Sequence, residues 1–151
     1  MVLPQGITGF AEGGRGVAAP TVDFRSFARA CHMAARAGSG RVERVEAASY
    51  PRNYHRAILR LGAAPVAVLC NAHHPWIAFA EASENLPLRF TDAVALAARF
   101  SDEFPFEVLD FTTLETHPDE AVLAGLGDAE RKQVGYWRPR RIGDIIFNSW
   151  D

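Results

Sequence analysis

The sequence predicts an α+β fold, a largely antiparallel sheet flanked by helices, and three observations carry that prediction. Residues 21–37 place Phe24, Phe27, Cys31 and Ala34 at steps of three and four, the spacing of one helix face. Residues 54–61 alternate, with His55, Ala57, Leu59 and Leu61 on one side and Tyr54, Arg56, Ile58 and Arg60 on the other, the period of a strand. Two further apolar runs of strand length, 66–71 and 76–80, follow after short links, as in a β-meander.

Taken in order, residues 1–20 are rich in Gly, Ala and Pro and read as partly loop, within one domain spanning 1–151. Thr21 is placed to cap the first helix, Asp23 suits its positive end and Gly38 can close it. After a Gly-Ser-Gly break, residues 41–50 are expected to form a strand. Thr91 is expected to cap a helix running to about Ser101, with Val94, Ala97, Ala98 and Phe100 offered to the core. Residues 106–111 alternate as a strand. Pro118, Asp119 and Glu120 open a further helix, because proline and acids suit a first turn. Gly125 and Gly127 end it, Asp128 is expected to cap another helix to Trp137, and Pro139 stops that one. Residues 142–150 fit either a final helical turn or a strand.

Composition sets the outer limits. A chain of 151 residues, 48% hydrophobic and 23% charged, buries roughly 70% of its unfolded surface and has a core without staples. Cys31 and Cys70 match no disulfide-scaffold spacing, the opening residues lack a secretory pattern, and no run approaches the ~20 apolar residues of a membrane span. A cytoplasmic protein without a membrane segment is expected. Lys132 is the only lysine among 16 basic residues, which, with abundant alanine, fits a GC-rich bacterial genome.

The net charge of −2 hides a division, since residues 1–60 sum to +5 and the remainder to −7. Between Phe100 and Glu130 there are nine acids and no lysine or arginine. If Asp102, Glu103, Glu107, Asp110, Asp119 and Glu120 share a face around Phe104, Phe106 and Phe111, that face would steer a basic protein partner and repel nucleic acid. The opposing reading is a solvated surface balanced by the arginine-rich half.

Four other constellations offer candidate chemistry. Cys70, His73 and His74 can in principle form a nucleophile–base pair or zinc ligands, as in a small hydrolase or transferase. No companion ligand motif accompanies them, and a tight turn with one buried and one surface histidine is the plainer reading, with no metal and no cofactor expected. Cys31 and His32 diverge on a helix and share no local site. Gly13-Gly14-Arg15-Gly16 lacks the strand–loop–helix context of a phosphate loop. Arg138, Arg140 and Arg141 beside Tyr136 and Trp137 can contact phosphates and stack on bases, but a pI near 6.2 argues against a nucleic-acid partner.

The ending Tyr136-Trp137-Arg138-Pro139, then Ile142 to Asp151, is too aromatic and apolar for a frayed tail, and Trp137 and Trp150 read as core anchors. Together with a general likeness in residues 65–81, these residues resemble the endings of small bacterial polymorphic-toxin immunity proteins. The resemblance implies a non-catalytic protein that binds one cognate toxin and occludes its active site; it transfers no site residues. A regulatory subunit of another complex shares the same binding logic.

Overall fold

Strand β2 (Tyr54–Arg60) sets the architecture of the computed structural model, which describes residues 1–11 and 20–151. Every residue from Tyr54 to Leu59 is buried, so the strand is covered on both faces. Ala57 and Leu59 enter one apolar cluster and Tyr54 and Ile58 the other, the same two sets that the alternation separates. The molecule is therefore a three-layered α+β domain with its sheet in the middle.

Strands β1 (Arg41–Glu46), β2, β3 (Pro65–Asn71), β4 (Trp76–Glu81) and β5 (Phe90–Thr91) lie side by side in chain order, each antiparallel to the next. This is the expected meander. The strand expected over 106–111 is shorter: β6 (Glu107–Val108) returns parallel to β4 beside Trp76 and Ile77 and ends there. The Asp110 side chain accepts from the Thr113 N–H at 2.7 Å and turns the chain into a helix instead. Edge strand β1 is protected by its alternating arginines and glutamates and by an irregular register at Val42–Arg44.

One face is covered by α1 (Phe24–Ala37) and α2 (Val94–Glu103). Phe27, Ala30, Cys31, Ala34 and Ala35 form the buried stripe of α1. Asp23, not Thr21, caps it, accepting from the Arg25 N–H and the Ser26 hydroxyl. Helix α2 starts two residues later than expected, because Thr91 belongs to β5; Leu96 and Phe100 are buried while Val94 is exposed. His55 faces α1, stacked on Phe27 and tilted against Phe24. The Ala48 N–H donates to its Nδ1 at 2.9 Å, so Nε2 carries the proton and donates to the Val22 carbonyl. Burial holds the His55 pKa below the ordinary histidine value.

The other face is covered by residues 3–10 and by α3 (Phe111–Glu115), α4 (Glu120–Leu123), α5 (Asp128–Trp137) and α6 (Ile142–Ile146). The final apolar segment is thus a helical turn. Gly127 rather than Asp128 occupies the cap of α5. Buried polar groups organise this layer. The Asn71 amide donates to the carbonyls of Ile7 and Ile146 at 2.8 and 2.7 Å, and Asn53 donates to the same two carbonyls. Asn148 donates to the carbonyls of Thr8 and Ile145, and its own N–H reaches the Asn53 side chain. Glu130, only 1% exposed, accepts from the N–H groups of Gly6, Thr8 and Gly127 and from the Thr8 hydroxyl. Among the described residues no buried side-chain nitrogen or oxygen lacks a partner.

Candidate functional site

The residues with the most reactive chemistry are committed to structure. Cys70 and Cys31 are buried in the α1 cluster, and burial pushes both thiols well above the ordinary range, so neither presents a thiolate. His73 and His74 sit in the β3–β4 turn, where the Asn71 side chain accepts both of their backbone N–H groups. The His73 ring donates to the Pro20 carbonyl and the His74 ring to the Gln5 carbonyl, at 2.9 and 3.0 Å. Both histidines are half-buried, so the expected division into one buried and one surface ring is replaced by two rings that each hold a passing chain segment. Among the described residues no group of three His, Cys, Asp or Glu is arranged to hold a metal ion. The Gly13–Gly16 loop lies outside the described residues.

The acidic stretch is spread over two layers. Asp102 and Glu103 end α2 and Glu107 lies in β6, all three exposed near one sheet edge, with Arg99 4.0 Å from Glu103. Asp110 is exposed but caps α3, and the backbone N–H of Thr113 keeps its carboxyl below the usual range. Asp119 and Glu120 start α4 on the other side of the sheet, where Asp119 accepts from the Val122 N–H and Glu120 pairs with Arg131 at 2.9 Å. The ninth acid of the stretch, Glu130, is internal.

The most developed surface lies elsewhere, along the α5–α6 connection. Arg138 closes α5 in a left-handed conformation (φ 51°, ψ 58°), its N–H held by the Val134 carbonyl. This turn leaves Tyr136 76% exposed, against the edge of Trp137. Trp137 lies nearly parallel to Trp150, with ring centres 6.2 Å apart and 4° between planes. Trp150 is buried, so only one of the two expected anchors is fully inside; Trp137, 38% exposed, is the lid of the stack. Beside them runs a groove of about 680 Å³ between residues 137–141 and 147–150 on one wall and Leu86–Leu88 on the other. Leu86, 67% exposed, stands at its lip.

Leu86 and Leu88 also line an adjoining recess of about 250 Å³, whose polar wall balances Arg52 and Arg56 against Glu46 and Glu84 beside Tyr54 and Ser83. The Tyr54 ring meets Phe147 edge-on, which joins the floors of the two.

The arginines along this surface fall into two kinds. Arg141 is structural: it pairs with Glu115 and Asp144, donates to the Leu88 carbonyl, and lies 4.8 Å over the Phe90 ring. Its two carboxylates raise its pKa further. Arg138 and Arg140 are exposed and make no ion pair among the described residues. Sequence reading grouped all three; the difference follows from α6, whose first turn supplies Asp144. Arg56, which the alternation puts on the same side of the strand as Tyr54 and Ile58, is buried; its guanidinium donates to the Ser83 carbonyl, and Glu46 stands opposite it across β1 and β2. No family model, curated protein or solved structure matches the chain, so the functional reading rests on these surfaces.

Proposed function

We propose that the chain is a non-catalytic binding protein of the immunity type, which neutralises a cognate toxin by seating a preformed surface over the toxin's active site. The observation that supports this reading is the aromatic–arginine groove. Tryptophan, tyrosine and arginine dominate the energetics of protein interfaces because they bury large rigid areas at small entropic cost. Here Tyr136, Trp137, Arg138 and Arg140 stand exposed on a backbone that internal bonds already hold. Inhibition by occlusion needs such preorganisation, since ordering a loop at the interface would reduce affinity. The commitment of Cys70, His73 and His74 to packing and backbone bonds weighs against the hydrolase or transferase reading.

A second docking reading uses the exposed acids Asp102, Glu103 and Glu107 at the α2–β6 edge to steer a basic toxin. The test of the proposal is co-production with the protein encoded beside its gene. Rescue of growth and a stable equimolar complex are expected. A neighbour whose toxicity persists with the chain in excess overturns the immunity reading. Reversing Asp102, Glu103 and Glu107 together separates the two docking readings, because only the acidic edge predicts slower association.

A further inference from the structure

We infer that strand β1 pairs with the β1 of a second copy of this chain, antiparallel across a two-fold axis, so that the two sheets join edge to edge. The inference goes beyond the binding-protein reading and does not rest on it.

Position is the first argument. Strand β1 ends the sheet: β2 pairs with one side of it, and among the described residues no strand pairs with the other. An edge of this kind presents backbone N–H and C=O groups that a further strand can satisfy. The opposite end of the sheet offers only β5 and β6, of two residues each, whereas β1 has six.

The order of charge is the second. About a two-fold axis between Glu43 and Arg44, the run Arg41-Val42-Glu43-Arg44-Val45-Glu46 sets Arg41 against Glu46, Val42 against Val45 and Glu43 against Arg44 of the other copy. Each of the six residues then meets an opposite charge or a matching valine. A slip of one residue places Glu43 on Glu43 or Arg44 on Arg44, and a slip of two places Arg41 on Arg44 or Glu43 on Glu46. The alternation that guards the edge against foreign strands therefore admits one full-length register with a copy of itself. The charges also have partners within the chain: Glu43 meets Arg41 and Arg60, Arg44 meets Glu46 and Glu84, and Glu46 meets Arg52. Such surface pairs are individually weak, and a carboxylate accepts from more than one guanidinium, so they are compatible with pairing across the axis.

The irregular register is the third. Residues opposite each other in an antiparallel pair lie on one face of the sheet, so in a regular strand Val42 and Val45, three positions apart, would not meet. In β1 the register shifts between Val42 and Arg44, which leaves Val42 opposite Leu59 and Val45 opposite Ala57, both packed against the α1–α2 cluster. Arg41, Arg44 and Glu46 lie opposite Arg60, Ile58 and Arg56 on the other face, where Glu43 also reaches Arg60. The shift thus puts both valines on one face and all four charges on the other, as the two-fold register requires.

The test is sedimentation equilibrium of the full chain over a hundredfold range of concentration. A monomer–dimer equilibrium is expected, weakened by salt because the paired charges are at the surface. Glu43→Arg and Arg44→Glu should each weaken it by about tenfold or more, since each sets like charges opposite one another. Mixing the two variants in equal amounts should restore the dimer, because every reversed charge again meets its opposite; a folding defect in either variant would not be repaired by mixing. Under mild oxidation Glu43→Cys should cross-link to Arg44→Cys faster than either variant to itself, the native Cys31 and Cys70 being buried. A monomer at every concentration, a dimer indifferent to both reversals, or a mixture that associates no better than its components overturns the inference.

Discussion

On the α1–α2 side of the sheet the buried surface is carbon almost throughout, with Phe27, Phe106, Phe100 and Phe79 linked in that order by ring contacts and His55 against α1. On the opposite side Leu, Ile and aromatic residues share the interior with Asn53, Asn71, Asn148 and Glu130, each bonded to backbone far away in sequence. Burial of apolar area is non-directional and tolerates exchange of one shape for another of similar volume. A bonded amide is directional, and removing it strands partners that no neighbour replaces. The two layers should therefore fail in different ways.

The largest effect is expected from deleting Ile145–Asp151. That removes Ile145, Ile146, Phe147 and Trp150 from the core and Asn148 from its bonds. Each large buried side chain typically costs ~2–5 kcal/mol, against a total of ~5–15 kcal/mol for a domain. Circular dichroism melts should show no cooperative transition; a melt close to full length would make the segment an appendage.

Next comes the contrast between Asn71→Leu and Leu96→Met. The first leaves the His73 and His74 N–H groups unpartnered and takes one donor from each of the carbonyls of Ile7 and Ile146. With ~1–3 kcal/mol for each stranded group, a loss of about 3 kcal/mol or more is expected. The second conserves volume on the helical side and should cost less than ~1.5 kcal/mol. Urea midpoints that rank them the other way would erase the distinction. Glu130→Gln, which turns two of four accepted bonds toward an amide nitrogen, should fall between them at about 2 kcal/mol.

A smaller effect concerns pH. His55 is held neutral and its folded pKa lies below the ~6.5 of an unfolded histidine. The unfolded chain therefore takes up a proton first as pH falls. The stability tied to His55 is complete above ~6.5 and declines below it, toward the depressed folded value. Urea midpoints between pH 7.5 and 5 should show that slope, and His55→Gln should flatten it. Smallest of all, Arg138→Glu/Arg140→Glu should shift stability by no more than ~0.5 kcal/mol, since both side chains are exposed.

The helical side and the meander were legible because their physics is periodic. The positions of Phe27, Cys31 and Ala34, and the alternation in β2, encode burial directly in spacing. The second layer was harder to read. Its asparagines look in sequence like ordinary loop or strand-end residues, and Glu130 looks like one more acid of a charged run. What distinguishes them is a partner more than a hundred residues away, as from Glu130 to Gly6 and Thr8, which no local window contains. The groove was half legible: its tryptophans and arginines stand out as a cluster, but the separation of paired Arg141 from exposed Arg138 and Arg140 depends on Asp144 and Glu115 meeting in space. The burial of Arg56 left no mark in sequence, since a strand arginine ordinarily points to water.

The paired asparagine bonds also impose an order on synthesis. Asn53 and Asn71 emerge from the ribosome long before Ile146, whose carbonyl both must meet. Until then their amides require water, so the meander's second face stays wet while α1 can already close over the first. Ile146 thereby acts as the latch of Ile7, since the same two amides hold both carbonyls.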